Sequence, residues 1–147
     1  MALLLFGFYT ILSGFQQGII TFLFREFVAP KWGEWIDAAL HHGGILIYAL
    51  LVGYVLRVDP HAALWPTVAG AVLLRIALFD PAHNAARAWF SHREGRRPDP
   101  LFAVGTSALS DKVLQWVASL VKCNVSVLSA GLRLLALAGA VWVGLYK

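Results

Sequence analysis

From Ala2 to Phe24 the chain carries no charged side chain. At about 1.5 Å per residue, a helix of that length covers the ~30 Å hydrocarbon core of a bilayer. Over the 147 residues, 59% are hydrophobic and 14% charged. Globular domains run roughly 45–50% and about 25%, and one domain of this length cannot bury such an excess of apolar surface. The uncharged run therefore predicts a first membrane span over 2–24, and the composition extends the bilayer environment to much of the rest. The predicted fold is an all-α integral membrane protein. It forms one transmembrane domain over 1–147, a four-span helical bundle with two interfacial amphipathic helices in the third connector.

In span one the small and polar residues Gly7, Thr10, Gly14, Gln17, Gly18 and Thr21 share one side. Gly14 and Gly18 form a G-x-x-x-G pair, which lets two helix backbones approach closely. The expected partner is another span of the same chain, with homodimerisation as the alternative. The N-terminal run lacks a basic n-region and a small-residue cleavage site, so it is expected to remain as a span.

Residues 25–35 read as a polar turn, with Trp32 and Trp35 suited to an interfacial aromatic belt. Span two follows over about 36–56. It opens with Asp37, His41 and His42, of which Asp37 and His41 are four apart and share a helix face. Gly43, Gly44 and Gly53 suggest a further close contact. Asp59-Pro60 has the form of an N-cap followed by a first-turn proline, which predicts span three over about 60–79, kinked at Pro66. Arg75 lies near its far end.

Asp80-Pro81 repeats that start signal. Ala82, Ala85, Ala86, Trp89 and Phe90 then recur at helical spacing, as expected of a helix lying on the membrane surface. Residues 91–99 read as a polar loop. A second interfacial helix is expected from Ser110, with Val113, Trp116 and Leu120 opposite Asp111, Lys112 and Gln115. A fifth span over 101–121 is the alternative. The last span covers about 125–146. Its residues Ala136, Ala140 and Gly144 repeat at four, a second packing face, and Arg133 lies well inside it.

With four spans, both termini lie on one side, and 25–35 and the connector 80–124 lie on the other. That second side carries Arg25, Lys31, Arg87, Arg93, Arg96, Arg97, Lys112 and Lys122; the first has Arg57 and Lys147. The positive-inside rule places the connector in the cytoplasm and the termini outside. It also accounts for the basic residues without nucleic acid.

Ionisable groups inside a membrane are expensive and tend to pair or mark a path. The topology brings Asp37, His41, Arg75, Asp80, Asn84, Asp111 and Arg133 towards one depth. The first reading is a charge-paired clasp that pins the connector to the bundle; the second is an ion or proton path. His41 and His42 are the candidate ligands for haem or a chlorophyll-type pigment, although no cofactor is expected. Spans one and four contain no histidine to complete a bis-His site. The histidines have no metal-ligand spacing, the single Cys123 excludes a multi-cysteine site, and no catalytic constellation is found.

The pattern Arg75, Phe79-Asp80, Asn84, then Gly105-Thr106-Ser107 and Asp111-Lys112 runs as R-x3-FD-x3-N followed by G-x-S-x3-D. It resembles an arrangement in an uncharacterised family of small polytopic membrane proteins of bacterial and phage genomes, and covers about a quarter of the chain. The resemblance implies a bacterial or phage-related origin and no activity, and with the four spans the expected location is the bacterial inner membrane. Pro81 and a longer basic insertion before Gly105 depart from the pattern. The expected role is a non-catalytic accessory or scaffold subunit whose partners are the lipid bilayer and other membrane subunits, or copies of itself. One alternative is a homo-oligomeric channel or holin-like pore lined by Gln16, Gln17, Thr21, His41 and Arg133. Another is a haem- or pigment-binding subunit of an electron-transfer or photosynthetic complex.

Overall fold

The computed structural model describes residues 2–27, 30–93, 95, 100–104 and 109–145, and only the backbone at 24–27, 30, 31, 33, 34, 37, 109 and 110. Its elements are five helices: α1 (Ala2–Phe27), α2 (Pro30–Val58), α3 (Leu64–Arg93), α4 (Leu109–Leu120) and α5 (Val125–Leu145). No strand occurs among the described residues. Four of these helices are long and apolar enough to cross a membrane, over Ala2–Leu23, Ala38–Val58, Leu64–Arg93 and Val125–Leu145. The 12-residue α4 reaches only about 18 Å at 1.5 Å per residue, too short for a fifth span.

Three boundaries differ from the sequence reading, each for a local reason. The polar turn expected over 25–35 is instead largely helical. α1 runs on to Phe27 and α2 begins at Pro30, a first-turn position where a missing N–H costs nothing. Trp32 and Trp35 are thus part of α2, both strongly exposed. Asp59-Pro60 does not start α3. The Asp59 carboxylate accepts the His61 N–H at 3.0 Å, and the Asp59 carbonyl accepts the Ala62 N–H at 3.0 Å. This is a turn built on the aspartate side chain. The first helical bond of α3 comes later, from the Thr67 N–H to the Ala63 carbonyl at 3.1 Å. Pro66 therefore sits in the first turn of α3, where its missing N–H would have had no helical acceptor, and it forces no kink.

The third difference is Asp80-Pro81, which lies inside α3. Span three and the first interfacial helix are one continuous helix. Pro81 has no N–H to offer the Ala77 carbonyl, a loss that usually breaks a helix. Here α5 packs across the weak point, and Arg133 Nη1 donates to the neighbouring Ile76 carbonyl at 3.3 Å. Gly105, Thr106 and Ser107 lie outside the described residues.

α3 is the centre of the bundle, with α1 on one side and α5 on another. The α1 glycines explain the closest contact. A Cβ on Gly14 would stand 2.5 Å from the Phe79 carbonyl oxygen, and one on Gly18 would stand 2.5 Å from that of His83. The G-x-x-x-G pair thus serves α1–α3 packing within the chain. Gly7 faces Leu78 more loosely, at 3.8 Å. On α5, Ser129, Arg133, Ala136 and Ala140 are buried, and a Cβ on Gly144 would collide with Leu3. That contact sets the start of α1 beside the end of α5.

α2 is the least buried of the four long helices. Gly43, Gly44 and Gly53, expected to pack closely, have open space beyond their Cα atoms. α4 packs on α5 and leaves Val113, Trp116 and Leu120 exposed. It ends in a Schellman motif, with the Cys123 N–H on the Ala118 carbonyl at 3.0 Å and Lys122 in the left-handed region at φ 52°. Asn124 then caps α5 by accepting the Ser126 N–H at 2.8 Å.

Candidate functional site: a polar-ended cleft between α2 and α3

The polar residues gathered at one level of the bundle divide into three arrangements. The first is an ion pair. Arg133 Nη2 lies 2.8 Å from Asp80 Oδ2, and Arg133 Nε donates to Ser129 Oγ at 3.0 Å. Arg133 is 8% exposed, while the Asp80 side chain is 54% exposed. A buried guanidinium therefore meets a carboxylate that still reaches out of the bundle.

The second is a fastening for the connector. Asn84, buried on α3, donates from Nδ2 to the carbonyls of Leu101 (3.0 Å) and Ala103 (3.2 Å). It supplies two donors to carbonyls of an irregular segment, as a buried amide should.

The third surrounds Arg75. Five residues apart on a helix, Arg75 and Asp80 point about 140° from one another, so Asp80 serves Arg133 and not Arg75. The Arg75 guanidinium carbon lies 4.3 Å from the ring centre of Phe79 and 5.8 Å from that of Tyr48. Its Nη1 is buried with no hydrogen-bond partner. Among the described residues no ion pair to Arg75 is found.

Arg75 borders two cavities. The larger, about 690 Å³, runs between α2 and α3. Its walls are apolar at one end, with Val52, Val68 and Val72, and polar at the other, with His41, Asp80, His83 and Asp111. His41 meets Phe79 edge-on at 6.4 Å, and His83 stacks on the same ring at 6.4 Å. The smaller cavity, about 170 Å³, lies towards α1 and takes in Ser13, Gln16, Gly43 and Gly44.

Of the seven residues expected in one cluster, Arg75, Asp80, Asp111 and His41 share the larger cavity. Arg133 holds Asp80 from the α5 side, and Asn84 is turned to the connector. The Asp37 side chain lies outside the described residues. Among the residues proposed for a pore, Gln17 and His41 line the cleft, while Arg133 is locked between α3 and α5. His42 is exposed, and its Nδ1 donates to the Ala38 carbonyl at 2.7 Å. Among the described residues, no group of three His, Cys, Asp or Glu is placed to hold a metal ion.

The sequence reading missed Tyr48. Its hydroxyl donates to the Ala71 carbonyl at 3.0 Å and lies 2.7 Å from Thr10 Oγ1, joining α2 to α3 and α1. A signal was present: a tyrosine in the middle of a span, away from the aromatic belt, has to find a partner for its hydroxyl. No family model, curated protein or solved structure matches the chain.

Proposed function

We infer that this chain is a non-catalytic subunit of a larger membrane assembly. It inserts as four spans, with α4 lying at the interface and the basic connector on the cytoplasmic side of a bacterial inner membrane. One observation carries the subunit reading. The glycines of α1, and Gly139 and Gly144 of α5, meet neighbouring helices, whereas Gly53 of α2 faces open space and Gly43 and Gly44 border only the smaller cavity. Each glycine in a helix interior costs about 1 kcal/mol relative to alanine. In α1 close packing offsets that cost, and in α2 nothing within the chain does. A helix of another subunit, seated against α2, would supply the missing contact. The apolar face of α4 and the Trp side chains of α2 support contact with the bilayer surface. The eight cations named above support the cytoplasmic placement of the connector.

The test is purification from native membranes in a mild detergent. The expected product is a complex of defined stoichiometry containing other integral membrane proteins. A symmetric homo-oligomer with an axial polar path, made of this chain alone, refutes the subunit reading in favour of the pore.

A second reading is favoured by His42. Its Nδ1–H is taken by the Ala38 carbonyl, which leaves Nε2 as the available nitrogen on an exposed side chain. That is the arrangement in which a histidine ligates haem or a pigment. A Soret or pigment band in the purified complex, lost in His42→Leu, supports it; a colourless preparation removes it.

A further inference from the structure

The Arg75 guanidinium stands without a counter-ion among the described residues, on the wall of a cleft that is polar at one end and apolar at the other. We propose that this cleft binds a single-chain amphiphilic acid, with its carboxylate on Arg75 and its alkyl chain along Val52, Val68 and Val72.

A cation inside a span is stabilised by a partner or by reaching water. Arg133 meets this need through Asp80 and Ser129. Arg75 rests on two aromatic faces, and its Nη1 is cut off from solvent with no acceptor. Asp80 is committed to Arg133, and Asp111, at the cleft mouth, has a partner of its own. The acids lining the cleft therefore leave the Arg75 charge uncompensated. A planar guanidinium over Phe79 is suited to a carboxylate, which it binds in forked geometry.

Shape and depth then choose among anions. At about 690 Å³ the cleft falls within the roughly 300–1,000 Å³ of small-molecule sites. Its rim includes Ile45, Val72 and Ile76, each about half exposed, so it opens sideways and an amphiphile enters from the bilayer. Arg75 lies eleven residues beyond Leu64, about 16 Å along α3, so with Leu64 taken as one boundary of a ~30 Å core it stands well inside the hydrocarbon. The phosphate of a diacyl lipid stays at headgroup level and does not reach it. A compact carboxylate on one chain does. The inference rests on membrane insertion and is independent of the subunit reading, because the cleft is complete within one chain.

The experiment is native mass spectrometry of the purified chain in a mild detergent with added palmitate, compared with hexadecanol and dioleoylphosphatidylglycerol. One palmitate per chain is expected, with hexadecanol bound at least about tenfold more weakly, as expected when an acceptor for a charged donor is lost. Arg75→Gln should weaken palmitate by a similar factor. Val72→Trp, which fills the cleft and keeps the arginine, should abolish binding, and Leu134→Trp on an exposed face of α5 should not change it. Thermal unfolding of each variant checks its fold; if Arg75→Gln does not fold, Val72→Trp decides. The proposal is overturned if palmitate binds both cleft variants as it binds the wild type. It is equally overturned if hexadecanol binds as well as palmitate, or if the phospholipid displaces palmitate from the wild-type chain.

Discussion

The Arg133–Asp80 pair offers a quantitative test of how α5 is held to α3. Replacing Asp80 by Asn removes the negative charge and leaves the guanidinium, 8% exposed, with Ser129 and the Ile76 carbonyl alone. Breaking a fully buried pair this way costs about 3–5 kcal/mol. Asp80 is 54% exposed, so water replaces part of what it supplied, and about 2 kcal/mol is the better expectation. Arg133→Met removes the charge at its source with similar volume. It strands only a carboxylate already half in solvent, so the cost falls to about 1 kcal/mol or less. The double variant should then be no worse than Arg133→Met, giving a coupling of about 2 kcal/mol in a double-mutant cycle. Equilibrium unfolding in mixed micelles, followed by tryptophan fluorescence, reads all four proteins. Additive losses, or a larger loss for Arg133→Met than for Asp80→Asn, would refute the idea that Asp80 is there to neutralise Arg133.

Three further outcomes are expected. Gly14→Ala and Gly18→Ala place a methyl 2.5 Å from backbone oxygens and should each destabilise the chain by about 1–3 kcal/mol. Gly43→Ala and Gly53→Ala should leave the isolated chain as stable or up to about 1 kcal/mol more stable, which the same unfolding assay checks. Tyr48→Phe should cost about 0.6–1.7 kcal/mol, the range for hydrogen bonds between membrane helices. Hydrogen exchange should localise that loss to α2, and uniform loosening of all helices would contradict its role as the α2 anchor. Asn84→Ala should free the 101–103 segment, so limited proteolysis between Arg93 and Leu109 should quicken while the α1–α3–α5 core resists.

Much of the fold was legible because uncharged runs and small-residue repeats are strong signals. The four long helices fall where the apolar runs lie, and Gly14, Gly18, Ala140 and Gly144 sit at helix contacts. The Asp-Pro pairs were misleading for physical reasons. A local side-chain turn occupies Asp59, and a residue 53 positions away supports the helix at Pro81. Neither competing partner can be seen in a short sequence window. Arg75 and Asp80 do not meet because five residues on one helix set them about 140° apart. Histidine spacing gave no hint that His41 and His83 would flank one phenylalanine ring, a tertiary outcome of α2 lying along α3.

The central claim is that the open face of α2 receives another subunit. Site-specific photocross-linking in native membranes tests it most directly, with a benzophenone attached to a single cysteine in a Cys123→Ser background. Probes at Leu50 or Gly53 on the exposed side of α2 are predicted to give one discrete adduct with a different membrane protein, and probes at Phe8 or Leu12 on the exposed side of α1 to give none. Equal labelling from both faces, adducts to this chain alone, or no protein adduct from α2 would contradict the account.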